Sequence, residues 1–192
     1  MNINQRILHI KNMVCPRCKL VVKTIFKGLG YQVLAVELGQ VVIGSQNSPS
    51  KKRIAERLKE HQFELLETKE EGLAERIKVL LISLLYWSRP ARWPVALAAY
   101  LELSMQKKFE ELDEIFFSSC GYTIQEYFNL LRFERAKELI SYRERPVHHI
   151  AGRLGYNSTE ALSLEFRQRL NLDISGFIRS APAYRQPLDS LV

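Results

Sequence analysis

Residues Pro146 to Phe177 read PVHHIAGRLGYNSTEALSLEFRQRLNLDISGF. Ile150, Ala151 and Leu154 share one face over two turns, which predicts a short helix opening at Pro146. Gly155 follows, the residue type that ends a helix in a left-handed turn. Asn157 and Ser158 are suited to cap a second helix, with Leu162, Phe166 and Leu170 at fourfold spacing as its core face. Two short helices joined by a tight glycine turn form a helix-turn-helix, and its second helix is shaped to enter a DNA major groove.

The preceding residues repeat the theme. Leu97, Tyr100, Leu101 and Met105 mark a helix, and Phe109, Leu112, Ile115 and Phe116 mark another, giving a first helix-turn-helix. Cys120, beside Gly121, reads as a small buried residue without chemistry. Ile124 to Tyr142 is a long linker helix with Tyr127, Phe128, Leu131, Ala136, Leu139 and Ile140 on its apolar face. The order IA..LGY.S...LS..F from Ile150, the aromatic at Phe177, GYTIQEYF from Gly121 and LRFERAKELI from Leu131 together resemble the AraC/XylS regulators over residues 96–180. The resemblance implies a DNA-binding transcription regulator whose linker helix spaces two units for successive major grooves of double-stranded DNA.

Candidate DNA contacts follow from residue type. Lys107, Lys108, Arg132, Arg135, Arg153, Arg167 and Arg169 are the cations suited to phosphate, and Asn157, Ser158, Thr159 and Gln168 lie where the second unit meets bases or backbone. Ala161 and Leu164 offer only apolar contact with a thymine methyl. The first unit is less suited, because its second helix turns Glu110, Glu111, Asp113 and Glu114 outward, and carboxylates repel phosphate. Asp173-Ile174 also replaces the Thr-Pro expected before the closing helix. The scaffold reads as intact and the reading heads as eroded or retuned.

The first third of the chain has a different grammar. Residues 4–11 predict a strand, and Val21, Val22, Ile25, Phe26 and Leu29 a helix. Tyr31–Leu38 and Val41–Ile43 predict strands on either side of a Gly39-Gln40 turn. Ser48-Pro49 opens a helix through Ile54 and Leu58, and Phe63–Leu66 is a last strand. The order βαββαβ fits a ferredoxin-like sandwich. With Met13-Val14-Cys15-Pro16-Arg17-Cys18 in the first loop, residues 4–67 resemble the heavy-metal-associated domains of copper chaperones and metal ATPases.

The chemistry of the pair stands apart from that resemblance. Cys15 in a loop and Cys18 in the first helical turn can bring two sulfurs together, and the helix N-terminus with Arg17 and Lys19 favours thiolate. Two thiolates suit Cu(I) or another soft metal ion and fall short of the four ligands of structural zinc. A thiol-reactive pair and a vestigial pair are the alternatives. Met13 is expected in the core, His9 as an ordinary strand residue and His61 as a solvated helix-end residue; the resemblance to metal domains implies that Phe63 stands where they often carry a Tyr near the sulfurs.

The chain of 192 residues is therefore expected to be α+β, a βαββαβ ferredoxin-like sandwich followed by an all-α domain with two helix-turn-helix units joined by a linker helix. Its parts are residues 1–70, a connector at 71–94 and residues 95–192. Glu67–Gly72 reads as a charged link, Ala74–Ser88 as a buried apolar helix too short to span a bilayer, and Arg89–Pro94 as a turn enforced by two prolines.

The net charge of +7 suits a polyanionic partner, yet residues 1–71 hold 12 basic and 7 acidic side chains while residues 72–192 hold 16 and 14. The excess lies mainly outside the helix-turn-helix part. The N-terminus has no continuous apolar signal segment, and three cysteines form no secreted disulfide framework, so a reducing cytoplasm and no membrane are expected. No catalytic triad, carboxylate pair or phosphate loop points to an enzyme, and His148-His149 reads as a surface pair. The favoured function is a regulator responsive to soft metal or thiol state. The alternatives are a protein-binding module acting through the acidic recognition helices, and a metal carrier with little DNA affinity.

Overall fold

The computed structural model describes residues 4–45, 50–86 and 97–180. The expected helix opener Ser48-Pro49, the helix end at Trp87-Ser88 and the Arg89–Pro94 turn lie outside the described residues. Two compact units are present. One comprises residues 1–80 with 106–123, the other residues 81–105 with 124–192.

The first unit holds β1 (Asn4–Lys11), α1 (Pro16–Gly28), β2 (Gln32–Glu37), β3 (Gln40–Ser45), α2 (Lys51–Lys59) and β4 (Glu64–Leu65). The strands form an antiparallel sheet in the order β2-β3-β1-β4, as a βαββαβ sandwich requires. β1 pairs with β3 from Asn4↔Ser45 to His9↔Gln40, and the β2–β3 ladder contains a bulge between Val33 and Ala35. Period-two alternation sends Ile10, Val41 and Ile43 to one face, where they meet Val22, Ile25 and Phe26 of α1 and Ile54 and Leu58 of α2. Met13 is fully buried in the same core, as its position beneath the first loop predicts.

The other face of the sheet meets α3 (Lys69–Tyr86). This helix starts earlier than the apolar run suggests, because Thr68 and Glu71 form a capping box. The Glu71 N–H donates to Thr68 Oγ1 at 3.1 Å, and the Thr68 N–H donates to Glu71 Oε2 at 3.0 Å. Expected as a charged link, Glu67–Gly72 is thus a cap and a first turn. The His9 ring lies against Gly72, where a Cβ would stand 2.3 Å from His9 Cγ. One turn on, the buried Glu75 carboxylate accepts from the Asn12 N–H at 2.9 Å, in the loop that leads to Cys15.

α4 (Leu97–Met105) groups with the second unit, and α5 (Phe109–Cys120) groups with the first. The division between the two compact units falls inside α3 and again on either side of α5. A physical reason is visible at the end of α5. Ser119 and Cys120 line a cavity of about 150 Å3 together with Lys11, Glu64, Glu75 and Lys78. Cys120 is half-buried there, and burial raises its thiol pKa.

Among the described residues the second unit is all-helical: α4, α6 (Ile124–Tyr142), α7 (Val147–Arg153), α8 (Thr159–Leu170) and α9 (Ile174–Ser180), with the last residues of α3. Phe166 of α8 is its centre. Its ring packs edge-on against Phe133 of α6 at 4.9 Å and Phe177 of α9 at 5.0 Å. Asp173 caps α9 by accepting from the Gly176 N–H at 2.5 Å, so the loss of Thr-Pro leaves this helix start capped.

Gly72→Ala tests the packing of α3 on the sheet. Within a helix this change normally stabilises by up to about 1 kcal/mol. Against the His9 ring it is expected to destabilise by about 1–3 kcal/mol in chemical denaturation. A gain in stability would contradict the contact.

Candidate functional site

α7 begins after Pro146, which stands at the N-cap and presets the chain direction. Ile150, Ala151 and Leu154 are buried, as their spacing predicts. Gly155 has φ +72°, a left-handed conformation that a side chain would strain. The turn closes with the Tyr156 N–H donating to the Ala151 carbonyl at 3.0 Å. Ser158 then caps α8, its hydroxyl accepting from the Ala161 N–H at 3.2 Å. Leu162 and Phe166 are fully buried, which leaves Glu160, Ala161, Leu164, Arg167 and Gln168 facing outward. Leu164 is 52% exposed. Asn157 is exposed at the helix start, and Thr159 is half-buried with its carbonyl accepting from Ser163 Oγ at 2.9 Å.

Among the nominated cations, Arg153 and Arg167 are exposed on α7 and α8, and Lys108 is exposed at the start of α5. Carboxylate or ring partners stand beside Lys107, Arg132, Arg135 and Arg169. Lys107 pairs with Glu111. Arg169 pairs with Glu165 at 2.7 Å, and its guanidinium lies 5.3 Å from the Phe133 ring centroid. Arg132 stacks on the Tyr156 ring at 4.4 Å, and the Tyr156 hydroxyl donates to Glu165 at 2.7 Å. Burial, reinforced by Glu165, pushes the Tyr156 pKa up, so the phenol keeps its proton. Arg135 pairs with Glu138 at 2.6 Å, stacks on Tyr86 at 4.2 Å and is 13% exposed. Arg135 is thus largely enclosed by Glu138 and Tyr86, and Arg132 and Arg169 link α6, the turn and α8.

α5 and α8 are each twelve residues long and begin at residues 109 and 159. Leu112 matches Leu162 and Phe116 matches Phe166, all four fully buried. Gly121 and Asn171 end the two helices in left-handed conformations, at φ +74° and +54°. This fifty-residue repeat was the signal for a residue that periodicity alone passes over. Phe117, the counterpart of Arg167, is 54% exposed. Glu110, Glu111 and Glu114 are exposed beside it, while Asp113, expected to face outward, is half-buried.

Residues 98–180 match the family model of a helix-turn-helix domain. The match supports a DNA-binding transcription regulator of the AraC type. No curated protein and no solved structure matches the chain. The likeness of residues 4–67 to heavy-metal-associated domains has no counterpart in the family match.

The cysteine pair is formed by the start of α1. Cys15 is the extended N-cap residue and Pro16 fixes the first helical position. The two Sγ atoms are 3.4 Å apart, and both residues are partly buried. Partial burial works against ionisation of Cys15. It is outweighed by the Cys18 N–H and thiol, the Arg17 N–H and the Arg17 charge, which hold the Cys15 pKa below the usual thiol value. Burial and the Cys15 charge push Cys18 the other way. Lys19 does not join Arg17, because it pairs with Glu37. Phe63 is buried in the core cluster that Cys18 packs against, and His61 is exposed. Among the described residues no group of three or more His, Cys, Asp or Glu is placed to hold a metal ion.

Cys15 is expected to be alkylated at lower pH than Cys18, and Arg17→Ala to shift its profile upward. Mass-resolved iodoacetamide rates against pH measure both. Cys18 reacting first would contradict the assignment of the thiolate.

Proposed function

We propose that the chain is an AraC-type transcription regulator that enters the major groove with α8, and that Cys15 and Cys18 make it responsive to a soft metal ion or to thiol state. The observation that carries the DNA-binding reading is the exposed polar surface of α8 and its approach, with Arg167 and Gln168 exposed on the helix, Asn157 exposed at its N-terminal end and Arg153 exposed on α7. Cations supply sequence-independent phosphate affinity, while amides read base edges. The α8 N-terminus adds partial positive charge at the end where Asn157 and Ser158 lie.

The sulfur pair fits a soft ion of low coordination number such as Cu(I). Cys15 and Cys18 would hold it, and the Arg17 guanidinium would offset the negative charge of a bis-thiolate complex. A lone pair of thiols is a poor structural zinc site. Such an ion changes DNA binding only by favouring one of two protein states over the other. A protein-binding module is the second reading, favoured by exposed Phe117 among the carboxylates of α5. A metal carrier would bind and transfer Cu(I) with no effect on DNA.

Two sets of variants test the proposal. Arg153→Ala and Arg167→Ala are each expected to weaken binding to all duplexes and to lower the log–log salt slope by about 1. Unchanged slopes in both would move the phosphate-facing surface elsewhere. Cys15→Ser combined with Cys18→Ser is expected to abolish Cu(I) binding with the circular dichroism spectrum intact. Unchanged Cu(I) affinity would exclude the pair as the metal site.

A further inference from the structure

The two recognition helices share a frame and an outward glutamate in their first turns, and differ at the other four outward positions. Glu110, Glu111, Glu114, Phe117 and Ser118 of α5 correspond to Glu160, Ala161, Leu164, Arg167 and Gln168 of α8. The α5 face holds three carboxylates and no cation, and Lys107 just before it pairs with Glu111. Burying that face against phosphate would bring like charges together and release no counterions. α5 also has another commitment, since Ser119 and Cys120 line the cavity of the first unit with Lys11, Glu75 and Lys78. On α8 the single outward carboxylate, Glu160, is turned back to the capping hydroxyl of Ser158.

We infer that each chain reads one major groove, through α8 alone, and that Leu164 and Gln168 select an A·T-containing site. The inference rests on the DNA-binding reading above and narrows its substrate. Leu164 and Gln168 are four residues apart and so lie one above the other on the exposed face. An amide side chain pairs bidentately with adenine N6 and N7, and an apolar one meets the thymine C5-methyl. Ala161, one turn before Leu164, leaves room for a base edge to approach. Leu164 is 52% exposed, so its side chain is accessible to a base edge. Against a thymine methyl it becomes a specificity contact.

Selection from a randomised duplex library with the full-length protein, followed by hydroxyl-radical footprinting of the winners, tests this. The expected footprint covers one major-groove segment, with no second protected segment about 10 base pairs away. Gln168→Ala is expected to cost about tenfold at one adenine-containing pair. Replacing the selected thymine by uracil removes only the methyl, and is expected to cost the natural protein about fourfold and Leu164→Ala nothing. Phe117→Ala should leave affinity within about twofold. Two protected segments a helical turn apart, or a tenfold loss in a folded Phe117→Ala, overturn the single-groove inference while leaving DNA binding standing. A uracil penalty that survives Leu164→Ala overturns the methyl contact. Failure to enrich any sequence, with only salt-independent background binding, sinks the DNA-binding reading itself.

Discussion

The ring of Phe166 sits edge-on between Phe133 and Phe177, and the orientation of α8 depends on that sandwich. Three helices meet at one side chain, so α8 cannot rotate without opening a cavity beside two other aromatic rings; losing a buried Phe costs about 3–5 kcal/mol. With Phe166 and Leu162 turned inward, the outward positions are set by helical geometry. The polar layer around the aromatic core works to the same end. Tyr156 in the turn donates to Glu165, Glu165 accepts from Arg169, and Arg132 of α6 stacks on Tyr156. Three nominally surface charges thereby become a brace that fixes the turn against both helices. The exposed side chains that remain on α8 around Leu164, Arg167 and Gln168 form a narrow face rather than a broad basic patch.

The first unit obeys a comparable constraint at Asn12. Its backbone is left-handed at φ +72°, its N–H is held by buried Glu75, and its side-chain amide donates to the Gln62 carbonyl at 3.0 Å. The loop carrying Cys15 is therefore tied to α3 and to the approach to β4. Asymmetry between the sulfurs follows from the same local geometry. Cys15 lies at the helix N-terminus beside Arg17, while Cys18 is drawn under the core. Of the two sulfurs, Cys15 is therefore the one that ionises more readily.

Much of this was legible in the residue order. Period-two and period-3.6 patterns located both layers of the first unit and the helices of the second, and Gly155 and Ser158 marked the turn and the cap. The Thr68–Glu71 box was also written in the sequence as Thr-x-x-Glu, but it was hidden among charged residues that resemble a linker. Arginines were the least legible, because composition gives Arg132, Arg135 and Arg169 the same appearance as Arg153 and Arg167. Only tertiary neighbours, a Tyr156 or Tyr86 ring face and the carboxylates of Glu138 and Glu165, separate brace from candidate contact. The grouping of α5 with the first unit was likewise out of reach, since no local rule reports which sheet or bundle a helix end will join.

Hydrogen exchange of the full-length protein, with and without a duplex bound in low salt, tests the central claim most directly. The account predicts slowed exchange from Tyr156 through Gln168, with α5 from Phe109 to Cys120 unchanged. Protection concentrated in α5, with the α7–α8 turn unaffected, would contradict it.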